Sequence, residues 1–184
     1  MKRHVVQINP FCCGAACMHM VYEYFGTSLP QEIIWATIQR NINNKLNCCP
    51  HSMQKHFHEN GFCAIIVLVI DDLIRDINSA LNASCCAIIN YVVDENHNHF
   101  VLVEETTQDG ILVQDPSYKF PNLLMQLDIF KDPQLMLVGY AEKESVCPSC
   151  NTVFPSSAFF DELYSLHISR CAYCGEELYF VDST

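Results

Sequence analysis

Basic residues are scarce in this chain. Only 10 Lys and Arg stand against 21 Asp and Glu in 184 residues, for a net charge of -11. Gripping a phosphate backbone takes clustered cations, so this balance argues against a nucleic-acid partner. Long apolar runs are also missing: none reaches the ~18 residues of a membrane span. The start, Met1-Lys2-Arg3-His4, is basic, but Gln7 and Asn9 interrupt the apolar residues after it, so no secretory leader is evident. The expected location is the cytoplasm where the chain is made, with delivery to another cell if it acts as an effector. Internal repeats and low-complexity tracts are absent too, which leaves one compact body plus a small appendage as the expected organisation.

Cysteine, by contrast, is abundant, at twelve residues. In a small secreted protein such a count would suggest a disulfide framework. With 50% hydrophobic residues the core needs no such staples. Four of the cysteines have metal spacing and several others sit in apolar segments, where a thiol packs as a small hydrophobe. Reduced thiols are therefore expected.

Periodicity predicts helices over about 13–25, 30–43, 52–60, 72–82 and 121–129. It predicts strands over about 63–70, 85–93, 99–106, 111–115 and 135–141. Asn43 to Pro50 reads as a loop, Asp71 or Asp72 as a helix cap, and Gln108-Asp109-Gly110 as a hairpin turn. Helices first and strands after imply an α+β fold, a helical lobe against an antiparallel sheet. Composition changes near Glu142, and Glu142-Lys143-Glu144-Ser145 reads as a short linker. The expected division is 1–141 and 142–184.

One set of residues carries nucleophile chemistry. Cys13 stands where the first helix begins, and unpaired N–H groups with the helix dipole favour a thiolate there. A nearby imidazolium would favour it further, and His99 is the candidate. Asp115, brought alongside by a hairpin, would hold the imidazole ring through its other nitrogen. Gln7 and the backbone N–H of Cys13 would donate to an oxyanion. Cys12 is a rival nucleophile and His97 a rival base. Gly14 favours Cys13, since a glycine there lets substrate approach, and the apolar run after His99 favours His99. Cys17, one turn on, reads as helix packing.

Residues 7–141 resemble the bacteriocin-processing, double-glycine leader family of papain-like cysteine peptidases. The resemblance rests on Gln7 with Cys13-Gly14-Ala15-Ala16-Cys17, on Asn98-His99-Phe100-Val101-Leu102 and on Val113-Gln114-Asp115-Pro116. It implies a papain-like fold, with Cys13 as nucleophile, His99 as base, Asp115 as orienting residue and Gln7 as oxyanion donor, and no cofactor for catalysis. The family cuts after a Gly-Gly pair, because a narrow cleft excludes side chains beside the scissile bond. Its best-known members are domains of export transporters, and other relatives are toxin or effector domains. No transporter sequence is present here, so peptide-bond hydrolysis is a firmer expectation than leader processing. The implied partner is a peptide or protein with an extended Gly-Gly segment, and an inhibitory or immunity protein would accompany an effector. A catalytically silent leader-binding module is the rival reading, and acyl transfer or transglutaminase-like chemistry on the same nucleophile is a third.

The appendage holds Cys147-Pro148-Ser149-Cys150 and Cys171-Ala172-Tyr173-Cys174-Gly175. Two Cys-x-x-Cys knuckles are a zinc signal, and four thiolates close a tetrahedral site with no open position. One structural zinc per chain, in a small zinc ribbon, is expected. His167 could replace one cysteine. From Glu142 to Thr184, seven acids face two bases, which disfavours nucleic acid here as well. Phe154, Phe159, Phe160 and Tyr164 are expected to dock on the body or on a partner. Cys48, Cys49 and His51, with His56 and His58, could form a second metal site.

Overall fold

The structure, a computed structural model, describes residues 3–42, 45–67, 72–94, 97–166 and 169–178. The sequence-based expectations for Asp71, His167 and the side chain of Tyr164 fall outside what is described. Helix α1 (Cys13–Tyr24) is followed by α2 (Gln31–Ile38), a hairpin of β1 (Gln39–Ile42) and β2 (Lys45–Cys48), and α3 (Pro50–Glu59). Strand β3 (Phe62–Val67) and helix α4 (Leu73–Asn82) lead into β4 (Cys86–Asp94), β5 (His97–Thr107), β6 (Gly110–Gln114) and β7 (Leu123–Met125). A single 3-10 turn (Leu127–Ile129) precedes β8 (Lys131–Tyr140). Then come β9 (Lys143–Val146), β10 (Val153–Ser156), α5 (Ala158–Leu166), β11 (Ser169–Arg170) and β12 (Glu177–Leu178).

The centre is a six-stranded antiparallel sheet in the order β3-β8-β4-β5-β6-β7. Successive side chains of a strand leave opposite faces, and β3 divides accordingly. Phe62, Ala64 and Ile66 join the core under α1, α2 and α3. Cys63, Ile65 and Val67 join the core under α4 and α5. Both faces are covered, which is why residues 63–67 read as an unbroken apolar run. Asp72 caps α4, accepting the Arg75 N–H at 3.0 Å, as expected of it.

The helix expected over 30–43 ends at Ile38, and the chain then enters a hairpin in which Ile42 pairs with Lys45. Two successive asparagines, a residue type that favours tight turns, are its signal in the sequence. The helix expected over 121–129 is also absent. Leu123–Met125 pairs with β6 instead, so tertiary pairing overrides local helical spacing. Gly110 permits that approach: a Cβ there would run into the Met125 carbonyl oxygen. Three residues of the expected linker, Lys143 to Ser145, are strand β9, paired with β10. Phe154 and Phe160 are buried in the core shared with α4, and Phe159 packs at its margin.

Candidate functional site

The expected nucleophile, base and orienting residue come together at the mouth of α1. Cys13 is its first residue and is buried. His99 enters from β5, and Asp115 stands one residue beyond β6, which antiparallel pairing holds against β5. Nε2–H of His99 donates to Oδ1 of Asp115 at 2.7 Å. The ring also interacts with the Cys13 sulphur, which lowers the thiol and raises the imidazole. The Ser117 backbone N–H also donates to Oδ1 of Asp115, at 2.8 Å, and its hydroxyl lies 3.3 Å from Nε2 of His99. Tyr91 meets the His99 ring edge-on at 5.9 Å and is backed by Phe130.

These contacts set the charges. A hydrogen bond from the Cys48 thiol, opposed by burial and reinforced by His99 and the Phe100 N–H, lowers the Cys13 thiol to about 5. Burial pulls His99 down, but the Asp115 carboxylate and the Cys13 sulphur outweigh it and raise the ring to about 9. Asp115 is lowered in spite of burial, through His99 and Ser117. Between those limits the resting pair is thiolate and imidazolium.

The rivals separate. Cys12 turns away: its S–H donates to the Asn9 carbonyl at 3.2 Å, its sulphur lies 4.0 Å from Gln31 Oε1, and burial raises its thiol. His97 is exposed, whereas His99 is buried. Cys17 is fully buried, and burial pushes its thiol well up, so it packs, as expected.

Gln7 lies in a segment fastened from both sides. Its backbone N–H donates to the Pro116 carbonyl at 3.0 Å. Buried Gln31 accepts the Ile8 N–H at 2.8 Å and donates to the Val6 carbonyl at 3.5 Å. The Gln7 amide oxygen is buried and has no hydrogen-bond partner among the described residues.

Gly14 needs a different account from the one its sequence position suggests. It is buried, and a Cβ there would come within 2.9 Å of both Cβ and Sγ of Cys48 and 3.0 Å of the Met53 sulphur. The glycine makes room for Cys48 and Met53. Sequence reasoning missed Cys48, Gln31, Ser117 and Tyr91 at this site. Only Gln31, a buried polar residue on an apolar helix face, leaves a sequence signal that could have found it.

The four knuckle cysteines also meet. Their Sγ atoms all lie within 4.8 Å of one another, with Cys147–Cys174 at 3.8 Å and Cys150–Cys171 at 3.9 Å. Four sulphurs about 2.3 Å from a tetrahedral ion stand about 3.8 Å apart, so this donor set fits a metal of that geometry. The two knuckles match bond for bond. Cys147 N–H donates to Thr152 O and Asn151 N–H to Cys147 O. Cys171 N–H donates to Glu176 O and Gly175 N–H to Cys171 O. Asn151 and Gly175 take the same left-handed conformation, at φ 58° and 78°.

The residues considered for a second metal site have scattered. Cys48 lies against Gly14 and donates to the Phe11 carbonyl at 3.4 Å, and His56 Nδ1 accepts the Tyr22 hydroxyl at 2.7 Å. His58 donates to the Ala64 carbonyl at 2.8 Å and stacks on Phe154 and Tyr173, and burial pulls its ring down to about 4. Among the described residues, no helix is long and apolar enough to cross a membrane.

Comparison with known proteins places the fold. The peptidase domain of Streptococcus ComA, a bifunctional ABC transporter of a quorum-sensing pathway, superposes with a TM-score of 0.63 at 15% identity, covering 76% of this chain and 99% of that one. A double glycine motif protease from an AMS/PCAT transporter, solved with its leader peptide, gives 0.54 at 15% identity over 85% and 93%. A C39-like peptidase from Bacillus anthracis gives 0.61 at 11% identity over 77% and 96%. A search of the curated proteins finds no match. The model of the peptidase C39 family, a family of cysteine peptidases, matches residues 2–132, from the segment holding Gln7 to the start of β8 and short of the four-cysteine cluster. By that match this chain belongs to the peptidase C39 family.

Proposed function

We propose that the protein is a cysteine endopeptidase that cuts after a Gly-Gly pair, with Cys13 as nucleophile, His99 as acid and base, Asp115 as orienting residue and Gln7 as oxyanion donor. The observation that carries this reading is the buried chain of contacts from Cys13 through His99 to Asp115, closed at 2.7 Å. In the reaction, the Cys13 thiolate attacks the scissile carbonyl carbon. Charge collects on the carbonyl oxygen, where Gln7 and the Cys13 N–H stabilise it. His99 gives its proton to the leaving amine as the C–N bond breaks, leaving a thioester. A water then loses a proton to His99, attacks the thioester and frees Cys13.

Gly-Gly selectivity is supported by family membership and by the AMS/PCAT neighbour, described as a double glycine motif protease bound to a leader peptide. The same chemistry serves maturation of a leader-bearing peptide and cleavage of a target protein by an effector. Residues 1–141 form the peptidase and 142–184 a zinc ribbon, in which Cys147, Cys150, Cys171 and Cys174 hold one ion. Four thiolates leave no open position, so the ion's part is to tie the knuckles together.

A peptide carrying an extended Gly-Gly should be cut on the carboxyl side of the pair. Replacing the second glycine by alanine should slow cutting at least tenfold, since a misfit of one methyl costs about 1–3 kcal/mol. Cys12→Ala should keep most of the activity. Cut sites mapped by mass spectrometry with no glycine preference would overturn the specificity, and equal loss in Cys12→Ala and Cys13→Ala would overturn the choice of nucleophile.

A further inference from the structure

Gln31 opens helix α2, on the face that also buries Ile34 and Ile38, and only 4% of it is exposed. A buried amide needs partners for both its oxygen and its nitrogen. Gln31 finds them in the chain around Gln7. Its Oε1 accepts the Ile8 N–H at 2.8 Å, and its Nε2 donates to the Val6 carbonyl at 3.5 Å. Those two groups flank Gln7 on one edge of the segment. The Gln7 N–H leaves the other edge, where the Pro116 carbonyl accepts it at 3.0 Å. This alternation is the pattern of a strand with a neighbour on each side. A single side chain thus takes the place of one neighbouring strand, and it reaches only the residues beside Gln7. The path from there to the nucleophile is fixed as well. Cys12 N–H donates to the Asn9 carbonyl at 3.4 Å and Phe11 N–H to the Asn9 side chain at 2.9 Å, a tight turn that delivers the chain to Cys13.

Building on the reading of Gln7 as oxyanion donor, we infer that Gln31 is a positioning residue for the reaction: by holding Val6 and Ile8 it fixes the direction in which the Gln7 side chain leaves the backbone. That direction sets where the Gln7 amide stands when charge collects on the scissile carbonyl oxygen. Turning Gln7 about its backbone would break a bond to Gln31 or to Pro116. A donor aimed at a charge that forms only in the transition state speeds the chemical step without tightening substrate binding. Misaiming it therefore lowers kcat and leaves KM.

The test compares two reactions of Cys13 in the full chain. Cutting a peptide with an extended Gly-Gly builds an oxyanion. Alkylation by iodoacetamide does not, since the sulphur displaces iodide directly at carbon. Gln31→Met, similar in length but without an amide, should lower kcat about tenfold or more at little-changed KM. Alkylation of Cys13, followed by peptide mass, should keep its wild-type rate. In a Gln7→Ala background the same substitution should cost nothing further, because both changes act through one donor. Gln31→Ala repeats the measurements should the methionine variant fail to fold. An unchanged kcat, a loss confined to KM, losses that add in the double variant, or alkylation slowing in step with cleavage would reduce Gln31 to packing and overturn the inference. Gln7→Ala cutting at the wild-type rate, or wild-type protein leaving the peptide uncut, would instead overturn the reading on which the inference rests.

Discussion

Cys13 and Cys147 are both buried, at 3% and 0% exposure, yet their surroundings differ in kind. Around Cys13 stand groups with protons to give: the His99 ring, the Cys48 thiol and the Phe100 N–H. Around Cys147 stand three more cysteines within 4.8 Å. The first arrangement favours a thiolate. The second gathers four sulphurs in an arrangement that fits a tetrahedral metal ion. Burial alone therefore says nothing about what a cysteine is for; the neighbours decide between attack and coordination.

The sharpest way to break the comparison is to delete one member of each group. Cys13→Ala should abolish cleavage while leaving one zinc per chain by metal analysis, since residues acting as one catalytic unit fail together. Cys171→Ala should lose the metal and unfold the last forty or so residues first, because a small segment held by a metal folds with it. If either variant lost both properties, the two groups would be one coupled unit.

A smaller effect sharpens the first member. The cleavage rate at limiting substrate should rise as pH passes about 5, where Cys13 ionises, and fall as pH passes about 9, where His99 gives up its proton. The sign follows from the shifts: the thiol is lowered and the imidazole raised, so the ion pair fills the interval between them. A profile with a single limb near the free-thiol value would dissolve the pair.

The smallest effect concerns the contact that separates Cys13's surroundings from those of a metal site. Gly14→Ala should force Cys48 and Met53 aside, at an overpacking cost of about 1–3 kcal/mol, read as a lowered melting temperature with reduced cleavage. A variant as stable and active as the wild type would mean that Cys48 shifts freely.

Much of both groups was legible in the sequence, for different reasons. The knuckle cysteines are local: two residues of spacing and a turn residue announce them. Cys13, His99 and Asp115 are distant in sequence but each carries a chemical mark, and a hairpin is enough to unite two of them. Cys48 carries no mark. Its place depends on the β1–β2 hairpin, and the helical spacing of Ile34, Ile38 and Ile42 pointed to one helix over 30–43, with a loop after it. Local spacing cannot express that hairpin, which brings Cys48 against Gly14. The strand at Leu123–Met125 was hidden likewise, because its pairing with β6 is a tertiary fact that local periodicity cannot express.

The segment around Gln7 has a mechanical consequence. His4 donates to the Tyr118 carbonyl, Gln7 to the Pro116 carbonyl and Ile8 to the Gln31 side chain, at 2.8, 3.0 and 2.8 Å. One end of this strut is bolted to the stretch after Asp115 and the other to α2, so it bridges the sheet and the helical layer. Neither layer can part from the other without breaking bolts.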